Sequence, residues 1–584
     1  MGEFWRWRER LAALRERNGS IVLLAVIFLV VILAFTAFTV DVGFISLART
    51  QMQAAADSAA LAAAMELTSS TSPSQVRANA QAAAADVASR FVNGDRSGVT
   101  LDAATDITFG KQVSIGNGQY SMLWGNDQTP YNIVKVRVRR GTDSDGNGGT
   151  IDNRLPLFFG PVIQNSKADL TTEAIASFQP RDIMLVLDFS ASMNDDSCLG
   201  AIGKLGQTFI ESNLQTMWTE LGSPVYGNLT FTPQYAVLKG GPVSGTMPHV
   251  EVTYKRSSVY VTSTSALKKV TLVMGSRTQT FSGLTAMTGT FQGTGSNAGR
   301  DITSVYVESG TNTNRSPGGL GELFSFTAAN IKTALGLNIT YPYPAGSWDE
   351  YISYVQASSG DIKNAGYRDM YGYLTWLHYL QYYHPYASDT PDLWKTSEHP
   401  ISSVKDAVDL FVDYLTENAG GDYIGLTIYT HTSSSGAILE HGLSTNLTQV
   451  KNTTRQRQAG HYTGGTNISA GMATGRVELT TNGRDRSEKL MIVMTDGQAN
   501  LPGSVSTACA AVLTEAQAAS AAGIKIVTVT VGLDADTALM QQVASIGGGE
   551  CFIVPGNQSV ADVQAQLMEV FIRIASTRPL KLIK

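Results

Sequence analysis

The sequence predicts an α/β protein: a doubly wound, mainly parallel sheet that carries a β-rich insertion, preceded by a long N-terminal transmembrane helix and a small α+β region. Three observations lead there. An uncharged apolar run lies near the N-terminus, and fully apolar strand segments alternate with helical ones from residue 182 onward. The first of these strands ends at Asp188, yet its helix starts only near Ser403, so a separate module interrupts the alternation.

From Asn18 to Val40 the chain carries no charge, and "IVLLAVIFLVVILAFTAFTV" would rise about 30 Å as a helix, the thickness of a hydrocarbon core. Arg6, Arg8, Arg10, Arg15 and Arg17 precede the run, whereas Asp41 and Arg49 follow it. The positive-inside rule therefore keeps 1–17 cytoplasmic and places everything after the span outside. The run exceeds the apolar stretch of a signal peptide and ends without a small-residue cleavage site, which favours a retained anchor over a cleaved one. Beyond it, "DVGFISLARTQMQAAADSAALAAAMEL" has no Pro, and no Gly after Gly43. Alanine is the best helix former, so the helix should run to about residue 67. Its alanines either admit a neighbour closely or serve propensity alone. A second helix is expected from about Ser74 to Phe91, followed by strand-like runs such as "YNIVKVRVRR" and "LPLFFGPV".

A chain of 584 residues is too long for one core. The net charge of −6 leaves no basic excess for nucleic acid. Cys198, Cys509 and Cys551 lack the CxxC spacing of a zinc site. From residue 182, "IMLVLD", "YIGLTIY", "KLMIVMTD" and "IKIVTVTVG" read as parallel strands covered on both faces. Helical stretches such as "SVKDAVDLFVDYL" and "SVADVQAQLMEVFIRIA" lie between and after them. The insertion reads as β-sandwich-like over about 225–310, with "HVEVTYK", "SSVYVTS" and "KKVTLVMG" as strands. Its second part, about 340–395, holds eleven of the 22 tyrosines. Those serve either packing onto the main domain or an exposed aromatic recognition surface.

Asp188, Ser190 and Ser192 in "DFSAS", Thr466 in "TGGTNIS" and Asp496 in "VMTDG" all fall where strand or loop meets helix. In a parallel sheet such positions share the carboxyl edge, so five oxygen-bearing side chains should converge. Two carboxylates and three neutral hydroxyls suit a hard cation, Mg²⁺ or Mn²⁺, and leave it positive charge for a ligand carboxylate. The plainer alternative is that the serines cap a helix. In "DSDGNG", Asp143, Asp145 and Asn147 occupy the first, third and fifth positions of a Ca²⁺ loop, but Arg154 stands where a bidentate glutamate is needed. A Gly/Asp turn is therefore favoured over Ca²⁺. No P-loop, HExxH or GxSxG motif occurs, and His378, His384, His431 and His461 have no partner acid at useful spacing, so no enzyme is expected. Cys198 follows the first site segment and Cys509 opens the helix after the third. A Cys198–Cys509 disulfide is the favoured pairing in an oxidising compartment, with three free thiols as the alternative.

The apolar anchor followed by Asp41, Arg49, Gln53 and "AAADSAALAAA", and then "VKVRVRR", "LPLFFG" and "ADLTTEAIASF", resembles the N-terminal region of Tad (tight adherence, Flp pilus) TadE/TadG-like assembly proteins over about 18–180. Gly19 is followed five positions later by Leu24, where processed pilins of similar kind carry glutamate. This departure argues against prepilin cleavage and polymerisation as a major subunit. "DFSAS", "GGT" and "TDG" resemble the metal-ion-dependent adhesion site of von Willebrand factor A (vWA, Rossmann-like) domains over about 182–194 and 401–576, with Ala191 where glycine is usual. That resemblance implies that Ser190, Ser192 and Thr466 contact the metal directly or through water. Asp188 and Asp496 would bind waters or the ion.

Together the resemblances imply a TadG-like, single-pass protein of the bacterial inner membrane with most of its mass periplasmic or extracellular. It would act in Tad/Flp pilus assembly or surface adhesion among other pilus or envelope components, its vWA domain taking an acidic group of a protein partner through the metal. The alternative is a minor pilin-like subunit in which the metal is only structural. The expected division is a basic segment (1–17), a span (18–40), a TadE/TadG-like region (41–180), the vWA domain (181–194 and 401–576), the insertion (195–400) and a C-terminal tail (577–584).

Overall fold

The computed structural model describes residues 3–583 except 71, 117–118, 142–151, 241–248, 311–320, 418–420, 431–435, 485–486 and 557. Asp143, Asp145 and Asn147 of the calcium-like turn, and His431, lie outside the described residues.

One helix runs from Glu3–Met65 without a break. Neither Gly19 nor Gly43 interrupts it, since an interior glycine costs only about 1 kcal/mol against alanine. Along 21–40 its apolar side chains face outward. Past the span, Ala48, Met52, Ala56, Ala60 and Ala64, with Ala55, Ala59 and Ala63, are fully buried. Steps of four residues place these on one face. The helix Pro73–Ala88 answers with Val76, Ala80, Ala84 and Ala88, and both share a core with Val134, Val136, Val138 and Ala176 of the adjoining sheet. The alanines thus serve close packing as well as propensity.

That sheet runs antiparallel in the order Gln119–Trp124, Ile107–Gly116, Ile133–Gly141, Leu170–Phe178, Leu580–Ile583, with Asp152–Asn153 added parallel to Ile133–Gly141. Its last member corrects the expected tail: the C-terminus returns as a strand, with Leu580 opposite Phe178 and Leu582 opposite Ala176. Both leucines pack against the alanine-rich core. Four residues of alternating pattern are too few to mark a strand locally, and the pairing is decided by a distant apolar edge.

The second sheet follows the order Ala437–Ser444, Tyr423–Tyr429, Arg181–Asp188, Glu488–Thr495, Ile524–Gly532, Cys551–Pro555. Its strands are parallel except Ala437–Ser444. Arg181–Asp188 is central and buried at every residue. Ile183, Leu185 and Leu187 enter one core with helices Ile401–Glu417 and Val560–Ser576. Met184 and Val186 enter the other, with Ile468–Thr481, Val505–Ala521 and Thr537–Ile546. Strand alternation thus feeds two layers, the doubly wound arrangement.

The insertion holds two four-stranded antiparallel sheets. They reach Gly321–Ser325, beyond the expected end near 310. A helix, Gln207–Glu220, precedes them where none was expected. The tyrosines also depart from expectation: Tyr351, Tyr371, Tyr373 and Tyr379 are buried with Trp348 and Trp376 in the insertion's own core rather than against the main domain. Tyr382 and Tyr383 remain exposed.

His378 lies in that core, hydrogen-bonded through Nδ1 to the Tyr354 hydroxyl. Burial pulls its pKa down to about 3. The unfolded chain therefore binds a proton near pH 6.5 that the folded chain refuses, and stability present above that pH is lost as pH falls toward 3. His378→Phe should flatten this acid slope by up to about 1.4 kcal/mol per pH unit, read from denaturant melts at pH 7 and 5. An unchanged slope would count against the buried neutral imidazole.

Candidate metal centre

Parallel strands carry their carboxyl ends to one edge, and the central strand delivers Asp188 there. Its Oδ1 accepts from the Ser190 N–H at 2.9 Å, which turns the chain sharply after the strand. Its Oδ2 accepts from the Thr495 hydroxyl at 2.9 Å. Ser192 Oγ donates to Asp496 Oδ1 at 2.9 Å and lies 3.0 Å from Ser190 Oγ. The first and third sequence segments therefore meet side chain to side chain.

The second segment joins them through its backbone. Thr466 N–H donates to Asn500 Oδ1 at 2.9 Å, and its carbonyl accepts from Asn500 and Leu501 at 3.2 and 3.3 Å. Gly460 N–H donates to Phe189 O at 2.8 Å. Gly464 faces the first loop so closely that a Cβ there would lie 3.5 Å from that of Ala191. Asp188, Ser190, Thr466 and Asp496 are all buried.

Helix capping does not account for the serines. Ser190 precedes the 3₁₀ turn Ala191–Ser197 and makes no side-chain cap hydrogen bond, unlike Ser504 or Ser559 on their helices. The electrostatics point the same way. Burial pushes the Asp188 carboxyl above its ordinary range. Asp496 is raised further, by burial and then by the charge of Asp188. Asp188 and Asp496 are buried carboxylates whose charges oppose each other, an arrangement that a bound cation would relieve.

Among the described residues no three His, Cys, Asp or Glu side chains gather to hold a metal. A site here must therefore draw on hydroxyls and water. The donors present are oxygens only, which fits Mg²⁺ or Mn²⁺ and disfavours softer ions.

The structure adds a rim. Burial and the neighbouring charges of Asp196 and Asp534 raise Asp195 to about 6, and Lys204 sits 3.2 Å from Asp534. A cavity of about 460 Å³ opens beside Ser192 and is walled by Asp195, Asp196 and Lys204 at the start of the insertion and by Asp361 and Tyr382 from its later part. "NDDS", one residue after "DFSAS", was a visible sign of Asp195 and Asp196. Nothing local announces Asp361 or Tyr382, because the insertion's fold brings them there.

The expected Cys198–Cys509 disulfide is absent: all three cysteines are free thiols. Cys198 is buried with Sγ directed at Asn194 Oδ1, whereas Cys509 lies on the helix Val505–Ala521 with Sγ directed at Asp536. Chain order placed both near the site edge, but each sulfur has a different neighbour there. His384 is engaged with Asp389 at 3.5 Å and Glu350 at 3.3 Å.

Residues 19–66 match the family model of Flp pilus-assembly TadE/G-like proteins, and 394–566 match that of the von Willebrand factor type A domain. No curated protein matches the chain. Solved structures that are similar include an aerotolerance-related membrane protein from Bacteroides fragilis (16% identity, 30% of this chain and 90% of that one, TM-score 0.24). The pilus adhesin SpaC from Lactobacillus rhamnosus GG matches at 17% over 30% of this chain and 28% of its own, TM-score 0.24. Proximal thread matrix protein 1 from the mussel byssus, with a zinc-occupied MIDAS motif, matches at 18% over 31% of this chain and 44% of its own, TM-score 0.25. The matched part is thus less than half of the adhesin and of the byssus protein. The chain thus joins a TadE/G-like N-terminal segment to a von Willebrand factor type A domain toward its C-terminus, and carries one N-terminal helix long and apolar enough to cross a membrane.

Proposed function

We propose that the protein is a component of Tad/Flp pilus assembly or surface adhesion, held in the bacterial inner membrane with its N-terminus cytoplasmic. In this reading its vWA domain binds an acidic group of a protein partner through Mg²⁺ or Mn²⁺ held by Asp188, Ser190, Ser192, Thr466 and Asp496. The observation that carries this is the meeting of Ser190, Ser192 and Asp496 over Asp188 at the sheet edge, with both carboxylates buried. When bound, the ion supplies a coordination position that a carboxylate of the partner completes. Asp188 holds the first loop through Ser190 N–H, and Asn500 holds the second through Thr466. Without metal, Asp195, Asp196 and Asp361 repel an acidic partner; with it, the local charge is reversed at one point only.

The full chain in nanodiscs should retain envelope proteins in Mg²⁺ and release them in chelator, while Ser192→Ala retains none in either. Equal retention in all three would refute metal-dependent binding. The burial of the candidate ligands favours a second reading, a pilin-like structural subunit whose metal only stabilises it. That reading predicts a chelator-dependent fall in melting temperature with unchanged retention.

A further inference from the structure

Where the apolar span ends, a second apolar surface stands beside it. Asp41, directly after Val40, is only 8% exposed. Its carboxylate accepts hydrogen bonds from the backbone N–H of Phe158 at 2.8 Å and of Phe159 at 3.1 and 3.2 Å. The Phe158 ring also packs on Phe44, with centroids 5.0 Å apart. The loop 157–166 is thereby pinned to the helix at its exit from the hydrocarbon.

The loop is braced from within. Leu157 N–H donates to Ser166 O, Val162 N–H to Phe159 O and Asn165 N–H to Gly160 O, each at 3.0 Å. Gly160 tolerates no side chain, because a Cβ would lie 2.2 Å from Asn165 O. Such a rigid surface loop is ordinarily polar on its outside. Here Phe158 is 65%, Phe159 44% and Val162 82% exposed, and "LPLFFGPVI" carries no charge.

Depth decides what covers these residues. At 1.5 Å of rise per residue, Asp41 to Phe44 lie within about 6 Å of the end of the apolar run, inside the headgroup layer of roughly 5–8 Å. Aromatic and aliphatic side chains are favoured at that level. Asp41 has a matching role: the two N–H groups it satisfies would be costly to leave unpaired beside hydrocarbon.

We propose that the loop 157–163 is a second membrane contact, with Phe158, Phe159 and Val162 seated in the outer interface of the bilayer that the N-terminal helix crosses. The ligand is a lipid surface, engaged by apolar insertion, and it fixes the tilt of the outer domains against the membrane. The proposal rests on the membrane span of the functional reading and is independent of the metal.

The test adds one tryptophan at a time to the full chain in single-copy nanodiscs and subtracts the emission of the parent with its seven tryptophans. Val162→Trp emission should be largely quenched by lipids brominated near the headgroup and little affected by acrylamide. Quenching by acrylamide but not by brominated lipid puts the loop in water and overturns the proposal. Protection from both means that protein covers the loop, which overturns it as well. Phe28→Trp, inside the span, separates the two readings. If its emission escapes deeply brominated lipid, the span itself fails and the loop contact falls with it; if it is quenched while Val162→Trp is not, only the loop contact fails.

Discussion

Asp496→Asn will stabilise the metal-free protein and abolish the stabilisation that Mg²⁺ confers. Asparagine keeps an oxygen to accept the Ser192 hydroxyl, whose bond to Asp496 is 2.9 Å long, but it removes the charge that faces buried Asp188. Relief of that repulsion raises apo stability. The same change leaves the ion only one carboxylate. At a Mg²⁺ concentration about 100 times Kd, the parent gains about 2.7 kcal/mol. For a domain of this size that moves the melting transition by about 5–10 °C, an increment the variant will lack. Calorimetric titration should show Mg²⁺ heat for the parent and none for the variant. Equal heats, or a lower apo melting temperature in the variant, would overturn the placement of Asp496 at the ion.

Arg181→Ala will destabilise the protein by about 3–5 kcal/mol, the range for breaking a buried ion pair. Arg181 is fully buried where the two sheets are joined. Its backbone N–H donates to Asp422 Oδ1 at 2.9 Å, and its guanidinium to Asp422 Oδ2 at 2.9 and 3.3 Å. It also donates to the carbonyls of Ile574, Ala575 and Thr577 at 2.9–3.0 Å. These carbonyls end the last helix, just before the chain turns into Leu580–Ile583, so one side chain ties both covalent crossings together. Alanine leaves the buried carbonyls of Ile574 and Ala575 without this donor, and Asp422 with the backbone N–H of residue 181 and with Arg578, 3.2 Å away.

Burial pushes the Asp422 carboxyl up, but the charges of Arg181 and Arg578 and the hydrogen bonds from Arg181 outweigh it, and the net shift is downward. A carboxyl depressed on folding contributes stability that is complete above its unfolded pKa and is lost as pH falls through the folded value. The deficit of Arg181→Ala should therefore shrink only below about pH 4. Urea unfolding at pH 7 and pH 3 measures this; a loss below 1 kcal/mol at pH 7 would show that the cluster is not structural.

Features written in neighbouring residues were legible. The uncharged run from Asn18 to Val40, the apolar strand ending at Asp188 and the "TDG" after Glu488–Thr495 each show a period or a spacing that only a few backbone geometries accept. Convergence of Asp188, Ser192 and Asp496 followed from one rule, that parallel strands share a carboxyl edge.

Other features were beyond reach for an equally physical reason. The tyrosines of 340–395 were ambiguous because Tyr suits both a core and a surface, and only the packed insertion buries Tyr351 and Tyr379 while exposing Tyr382. Leu580 and Leu582 became a strand because an unpaired edge at Leu170–Phe178 was there to receive them. Asp41 stood visible after the span, yet its partners lie 117 and 118 residues away. The amino-acid sequence by itself marked the long apolar helix, the strands of the parallel sheet and the segments that bear Asp188, Ser190, Ser192 and Asp496, because those depend on contacts within a turn or a strand. The tertiary structure alone decided the returning C-terminal strand, the acidic rim and the apolar loop beside the membrane. Each of these is a pairing between distant segments, selected by which backbone groups and apolar faces remain unsatisfied once the local elements exist.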